Sequence, residues 1–397
     1  MPTAVPEATP ALLPLCAAAF VAYASYSICR APLLPLFARE LGAGPALVGL
    51  VVGASTLTGV VVKMPAGALS DVLGRRPLLL AGALVFALLP FTYLGAASIG
   101  LLLLLRAIHG HATAIFGPVA SATVSDLAPP AQRGQWLATY ATAQGLGQAF
   151  GPILAGYLIA ARRFDLAFLA SGTIGLAAPF LVARGVPATP VRAGGDRWRA
   201  FTAGLREVVR HRLVLVTSAA HAGQFVMNGA LNAFLPLYGR DVIGLTTPQL
   251  GWLFATQTAV TLAVRPLLGA ASDRLGRRAV IVAGLALCGG SVGAVALSAS
   301  TWTLVPAVVV YAPGVATTSA ATSAFITDVT PRARFGAAHG VFGTIYDIGD
   351  AAGPIAAGVL VGAFGYAVMF AAVASIGLAM AAMFAVAARP APTASAR

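Results

Sequence analysis

Six ionisable side chains lie well inside long apolar runs: Arg30, Lys63, Arg106, Arg265, Asp347 and Asp350. In hydrocarbon each costs on the order of 3 kcal/mol unless it is paired or hydrated, so each is a candidate for function. Asp347 and Asp350 are the only acidic residues so placed, and at i and i+3 they share one helix face. Two carboxylates held together out of water repel each other, and taking up a proton relieves the repulsion. The pair therefore suits proton loading and release. The opposing reading is a fixed neutralising pair with Arg30 or Arg106, and both hold if partners change during a cycle. His109, His111, His221 and His339 add imidazoles, the group able to change charge near neutral pH. Chemistry of other kinds finds no support. There is no Walker loop, no nucleophile–base constellation and no His–carboxylate grouping at metal spacing, so neither cofactor nor metal is expected. Cys16, Cys29 and Cys288 are far apart in apolar runs and read as packing residues.

Polar residues also recur at helical spacing. Tyr23, Tyr26, Ser27 and Arg30 form one stripe. His221, Gln224, Asn228 and Asn232 form a second, Tyr140, Gln144 and Gln148 a third, and Gln257, Thr261 and Arg265 a fourth. Such stripes turn toward the protein interior.

These residues are set in a repeat. The stretch Lys63 to Arg76 returns as Arg265 to Arg278, with Asp71 answered by Asp273 at an offset of 202. The same offset carries Asp126 to Asp328, Gly147 to Gly349, Gly151-Pro152 to Gly353-Pro354 and Gly156 to Gly358, so the chain is two copies of one half. Gly67 and Gly269 allow close helix approach. Asp71 and Asp273 stand where a helix leaves the membrane, and Gly74 and Gly276 permit the turn. Arg75 and Arg76 are expected among lipid headgroups, as Arg277 and Arg278 would be by the repeat. Lys63 and Arg265 lie about 12 Å of helix before the motif Asp. They are expected to snorkel or to bond the motif loops across the half-interface, a structural or gating role. The Gly-Pro pairs are expected to bend their helices. Other candidates break the symmetry: Arg106 maps to Val308, Arg30 to Asn232, Asp347 to Gly145 and Asp350 to Gln148. A structural need common to both halves would repeat, so asymmetry favours function.

The composition requires a membrane. Of 397 residues, 58% are hydrophobic and 9% charged. A soluble chain carries about a quarter charged residues. Spans are expected at about 11–38, 46–70, 77–96, 99–126, 132–160 and 166–184, then 211–238, 248–272, 278–298, 302–328, 334–362 and 366–388. The net charge of +13 tempts a nucleic-acid reading, but the arginines fall in loops between spans. With both termini inside, seventeen arginines face the cytoplasm and four face out, which orients the chain. The domains are an N-terminal six-helix half, 1–185; a cytoplasmic linker with a short amphipathic helix, 186–210; a C-terminal six-helix half, 211–389; and a disordered tail, 390–397.

Two six-helix halves, a middle loop and a repeated Gly-x-x-x-Asp-x-x-Gly-Arg-Arg turn resemble the major facilitator superfamily. Arg106-Ala107-Ile108-His109-Gly110 resembles the Arg-x-x-Gln-Gly motif of its proton-coupled members, with His109 in place of Gln. Gly147 to Gly156 resembles the Gly-x-x-x-Gly-Pro-x-x-Gly-Gly motif of the drug:proton antiporter branch, with Ala155 departing from it. Pro32-Leu33-Leu34-Pro35 is also common there. The resemblance implies an all-α membrane protein of twelve helices in two pseudo-symmetric bundles, working by alternating access. It implies a cavity lined by spans 1, 4, 7 and 10, hence by Tyr23, Tyr26, Arg30, Arg106, Thr113, His221, Gln224, Asn228, Asn232 and Tyr311. It gives Arg106 and His109 a part in proton handling beside Asp347 and Asp350. The reading is a monomeric, proton-coupled inner-membrane exporter of small amphipathic molecules, neither an enzyme nor a nucleic-acid binder. Rivals are proton-coupled symport or exchange of a small organic anion, and a transporter-like sensor.

Overall fold

The computed structural model describes residues 12–161, 163–187, 210–331 and 334–388. In hydrocarbon every backbone N–H and C=O must be satisfied within its own segment, so an apolar chain of this kind crosses as helices. Span 1 is Leu12–Ile28 continued by Leu33–Glu40; span 2 is Pro45–Leu73, span 3 Arg75–Thr92, span 4 Ile99–Leu127 and span 5 Arg133–Ala160. Span 6 is Phe164–Gly175 with Ala177–Gly185. Span 7 is Arg212–Asp241, span 8 Thr247–Leu275, span 9 Arg277–Ala296 and span 10 Thr301–Asp328. Spans 11 and 12 run together as Phe335–Ala387, broken at Gly365, whose φ of 79° lies where only glycine rests without strain. The twelve-helix, two-half fold is as expected. The linker helix and the tail fall almost wholly outside the described residues.

Spans 5, 7 and 8 are as long as the others but less apolar. They carry three of the four polar stripes; Tyr140, His221 and Gln224 of these are buried, whereas Arg265 is exposed.

Both Gly-Arg-Arg turns are built alike. Gly74 and Gly276 adopt φ of 89° and 86°. Arg75 Nε donates to Asp126 Oδ2 at 3.1 Å, and Arg277 Nε donates to Asp328 Oδ2 at 3.1 Å. Arg76 and Arg278 donate to the carbonyls of Ala183 and Ala385. The expectation of headgroup anchoring is therefore corrected. These arginines fasten the turn to spans 4 and 6, and to 10 and 12, because acceptors at those helix ends lie within hydrogen-bond reach. Gly67 and Asp71 fall within the span 2 helix, but their side-chain surroundings lie outside the description.

Candidate functional site

Two ion pairs join the halves midway along the bundle. Lys63 Nζ of span 2 is bonded to Asp347 of span 11. Arg30 Nη2 of span 1 lies 3.2 Å from Asp350 Oδ2. Thr56 Oγ1 donates to the same oxygen at 3.2 Å, and Asn228 Nδ2 donates to Oδ1 at 3.3 Å. Asp350 thus collects donors from spans 1, 2 and 7, that is, from both halves. The aspartates are buried, while the side chains of Arg30 and Lys63 keep 29% and 30% exposure. That partial hydration screens the pairs, so neither has the strength of a dry one. The neutralising pair foreseen for Arg30 is present in this conformation, whereas Arg106 has no part in it. Lys63 departs from expectation as well. It reaches an aspartate across the interface instead of the motif loops, because Asp347 lies at its own depth. Thr56 was not foreseen, since a lone hydroxyl in an apolar span has no signature in sequence.

Arg106 and His109 form a separate centre inside the first half, and both are fully buried. Arg106 Nη2 donates to Ser55 Oγ at 2.6 Å, and its guanidinium stands 5.9 Å from the centroid of the Tyr26 ring. His109 Nδ1 is 2.9 Å from the Tyr93 hydroxyl. Arg106 Nε and Nη1 and His109 Nε2 make no hydrogen bond, and among the described residues no carboxylate pairs with Arg106. A buried cation with only neutral neighbours is expensive. It is also a local source of positive potential inside the first half.

Several expected cavity residues instead pack within their own half in this conformation. Tyr23 sits between Phe86 and Phe116, with ring centroids at 5.7 and 6.4 Å. Gln224 Nε2 donates to the Tyr311 hydroxyl at 3.3 Å, tying span 7 to span 10 with both side chains buried. Thr113 donates to Gly110 O at 3.3 Å in its own helix, and Asn232 Nδ2 donates to Asn228 O at 2.8 Å. Each of these groups finds a partner nearer than the half-interface. His221 is 3.3 Å from Thr322 Oγ1 and stacks on Phe342 at 4.8 Å. Beside it Phe225 stacks on Tyr346 at 4.6 Å, and Lys63 Nζ stands 5.6 Å from the Tyr346 ring centroid. Arg265 is exposed and, unlike Lys63, has no hydrogen-bond or ion-pair partner among the described residues.

The Gly-Pro motifs work as contact surfaces. A Cβ on Gly49 of span 2 would lie 2.1 Å from Pro354 O of span 11, and one on Gly251 of span 8 would lie 2.4 Å from Pro152 O of span 5. The two contacts are repeat mates, and both press the halves together, backbone to backbone, at the end away from the Gly-Arg-Arg turns. A Cβ on Gly340 or Gly269, nearer those turns, would meet nothing within 4 Å. At the closed end Arg39 Nη2 donates to Asp241 Oδ1 at 2.8 Å, within a two-point pair. Arg39 and Asp241 are themselves 202 positions apart, one residue from each half at the same place in the repeat. Both are partly exposed, so the pair contributes roughly 1 kcal/mol or less to closure. Arg39→Asp is expected to reduce the population closed at this end about fivefold or less, and adding Asp241→Arg to restore it. Distances between spin labels on spans 2 and 11 measure both changes.

Two six-helix bundles joined by part-buried ion pairs across their interface define a polytopic membrane transporter. The family model of the Major Facilitator Superfamily matches residues 15–248 and 241–397, and the chain belongs to that family. An uncharacterized MFS-type transporter of Methanocaldococcus jannaschii is 25% identical over 345 residues, covering 86% of this chain and 88% of its own. The multidrug resistance protein MdtH of Aeromonas hydrophila subsp. hydrophila is 28% identical over 67% of this chain and 66% of its own. Among solved structures, a bacterial homolog of the human lysosomal transporter Spinster, in an inward-facing and occupied conformation, superposes with a TM-score of 0.80. It is 17% identical and covers 95% of this chain and 96% of that one, a likeness of fold.

Proposed function

We propose that this transporter is a proton-coupled secondary carrier of the cytoplasmic membrane that exports small amphipathic molecules by alternating access. The observation that carries the reading is the two mid-bundle ion pairs between the halves, Lys63–Asp347 and Arg30–Asp350. Each joins a cation of one half to a carboxylate of the other, so any rocking of the halves must break or remake them. A carboxylate that loses its cationic partner in a low-dielectric cleft gains most from a proton, which links proton uptake to conformation. The tight far end and looser turn end support a cycle in which access alternates, with the substrate site between the halves. The arginine bias of the turn end supports a cytoplasmic position for it. Export of amphipathic molecules draws on the likeness to a multidrug resistance protein.

The test is pH change outside sealed, acid-loaded proteoliposomes when lipophilic cations and small organic anions are added in turn. Proton movement evoked by any of them supports coupling. Binding without proton movement across the whole set sinks it. A second reading, proton-coupled symport or exchange of a small organic anion, is favoured by one observation: away from the span ends, four cations stand against two carboxylates.

A further inference from the structure

We infer that the transported molecule carries an acidic group and that Arg265 receives it, an inference that rests on the transport reading above. Arg265 is the repeat mate of Lys63. Lys63 finds Asp347 across the interface, but the first-half position answering Asp347 is Gly145, where the Leu262 side chain already fills the space a Cβ would take, 2.6 Å away. Arg265 therefore has the address of an ion-pair residue with no acid to meet. It is exposed, and among the described residues nothing satisfies its guanidinium.

Its direction is fixed by its neighbours. Thr261, four residues earlier, reaches Ala312 O of span 10 at 3.4 Å, and Leu262, three earlier, packs on Gly145 of span 5. Residues three and four apart share a helix face, so Arg265 faces the bundle interior and not lipid. A guanidinium keeps its charge wherever it sits, so without a partner it calls for an anion or water, and a Cβ on Gly269, one turn further on, would meet nothing within 4 Å.

The surroundings narrow the ligand. His221 stacks on Phe342, both buried, and Phe225 stacks on Tyr346, both half-buried, giving an aromatic wall beside Lys63. A planar ring lies well against such a wall, and a carboxylate matches the fork of a guanidinium with two hydrogen bonds. The two aspartates already hold Lys63 and Arg30, and Arg106 is buried without a counterion. A purely cationic ligand would meet the uncompensated charge of Arg265 and find both carboxylates taken. A small aromatic acid, or a larger amphipathic molecule bearing one acidic group, supplies the anion Arg265 lacks.

The experiment titrates the full chain in lipid nanodiscs, by calorimetry with empty nanodiscs subtracted, using three ligands of one ring. These are naphthoate, its methyl ester, and trimethyl(naphthyl)ammonium. Naphthoate is expected to bind about tenfold or more tighter than the ester, with the ammonium weakest. Arg265→Gln is expected to bring naphthoate down to the affinity of the ester, and Arg265→Lys to keep most of the preference. No binding of naphthoate, equal binding of acid and ester, or a preference for the ammonium overturns the inference. The trio on the unaltered chain decides this even if Arg265→Gln does not fold. No proton gradient enters the titration, so failure of transport and failure of this assignment are read separately. Proton movement evoked by the ammonium alone would keep transport and remove the acidic substrate.

Discussion

Converting both span 11 carboxylates, by Asp347→Asn with Asp350→Asn, is expected to bring gradient-driven accumulation to a ratio of about 1, because linkage vanishes when no proton binds differently in the two states. Exchange of substrate down its own gradient should survive. The readout is accumulation of a compound that moves protons in the proteoliposome test, with and without an imposed pH gradient. Two effects are mixed in this variant. It removes the groups able to load a proton, and it strands Lys63 and Arg30 without partners. Breaking a dry pair costs about 3–5 kcal/mol, but these cations remain partly hydrated, so about 1–2 kcal/mol per pair is the reasonable scale. A second variant separates the effects. Lys63→Met with Asp347→Asn removes the pair whole and strands no charge. If Asp347 only neutralises Lys63, that variant accumulates substrate like the unaltered protein. If Asp347 loads the proton, it stays deficient. Full gradient-driven accumulation in the double aspartate variant would remove both residues from coupling.

The fold was legible because the repeat and the hydropathy agree at every scale: one offset fits the turns, the Gly-Pro pairs and the apolar runs. The ionisable residues inside the spans were legible too, because hydrocarbon makes each conspicuous. Their partners were harder to read. Asp347 faces Lys63 and not Arg106 because depth and rotation of the helices decide pairing, and neither is fixed by counting residues. Tyr23, Gln224 and Tyr311 lie on polar stripes, yet a stripe satisfied by a neighbour in the same half reads in sequence like one facing a cleft. The Arg39–Asp241 pair left a signal that reading the repeat only for identities passes over. Equivalent positions of two pseudo-symmetric halves lie equally far from the axis relating them, and where that distance is short, as at Arg39 and Asp241, opposite charges meet.

Gly49→Ala should drive the protein away from the conformation described here, although the same change in an unobstructed helix would stabilise it. Alanine gains about 1 kcal/mol over glycine inside a helix, so a favourable or neutral outcome is the default. At Gly49 the new methyl would lie 2.1 Å from Pro354 O and 2.9 Å from Pro354 C. Both are backbone atoms that cannot rotate aside, so spans 2 and 11 must part by about an ångström. Overpacking of this kind costs about 1–3 kcal/mol even where side chains can yield, and a rigid carbonyl puts the cost at the upper end or above. A net loss of about 2 kcal/mol shifts a two-state population roughly thirtyfold. Gly251→Ala, the repeat mate pressed on Pro152 O, should act in the same direction, and the double variant more strongly because the two contacts lie on separate interfaces. Gly59→Ala is the control, since a Cβ there meets nothing within 4 Å on the same span. Spin labels at the exposed positions Leu47 and Val359 would report the change as a longer distance population at the far end. Because only the conformation closed at that end carries the clash, thermal stability should fall less than this population does. A protein that keeps the short distance in Gly49→Ala would mean that the contact is loose, and that closure rests on the ion pairs instead.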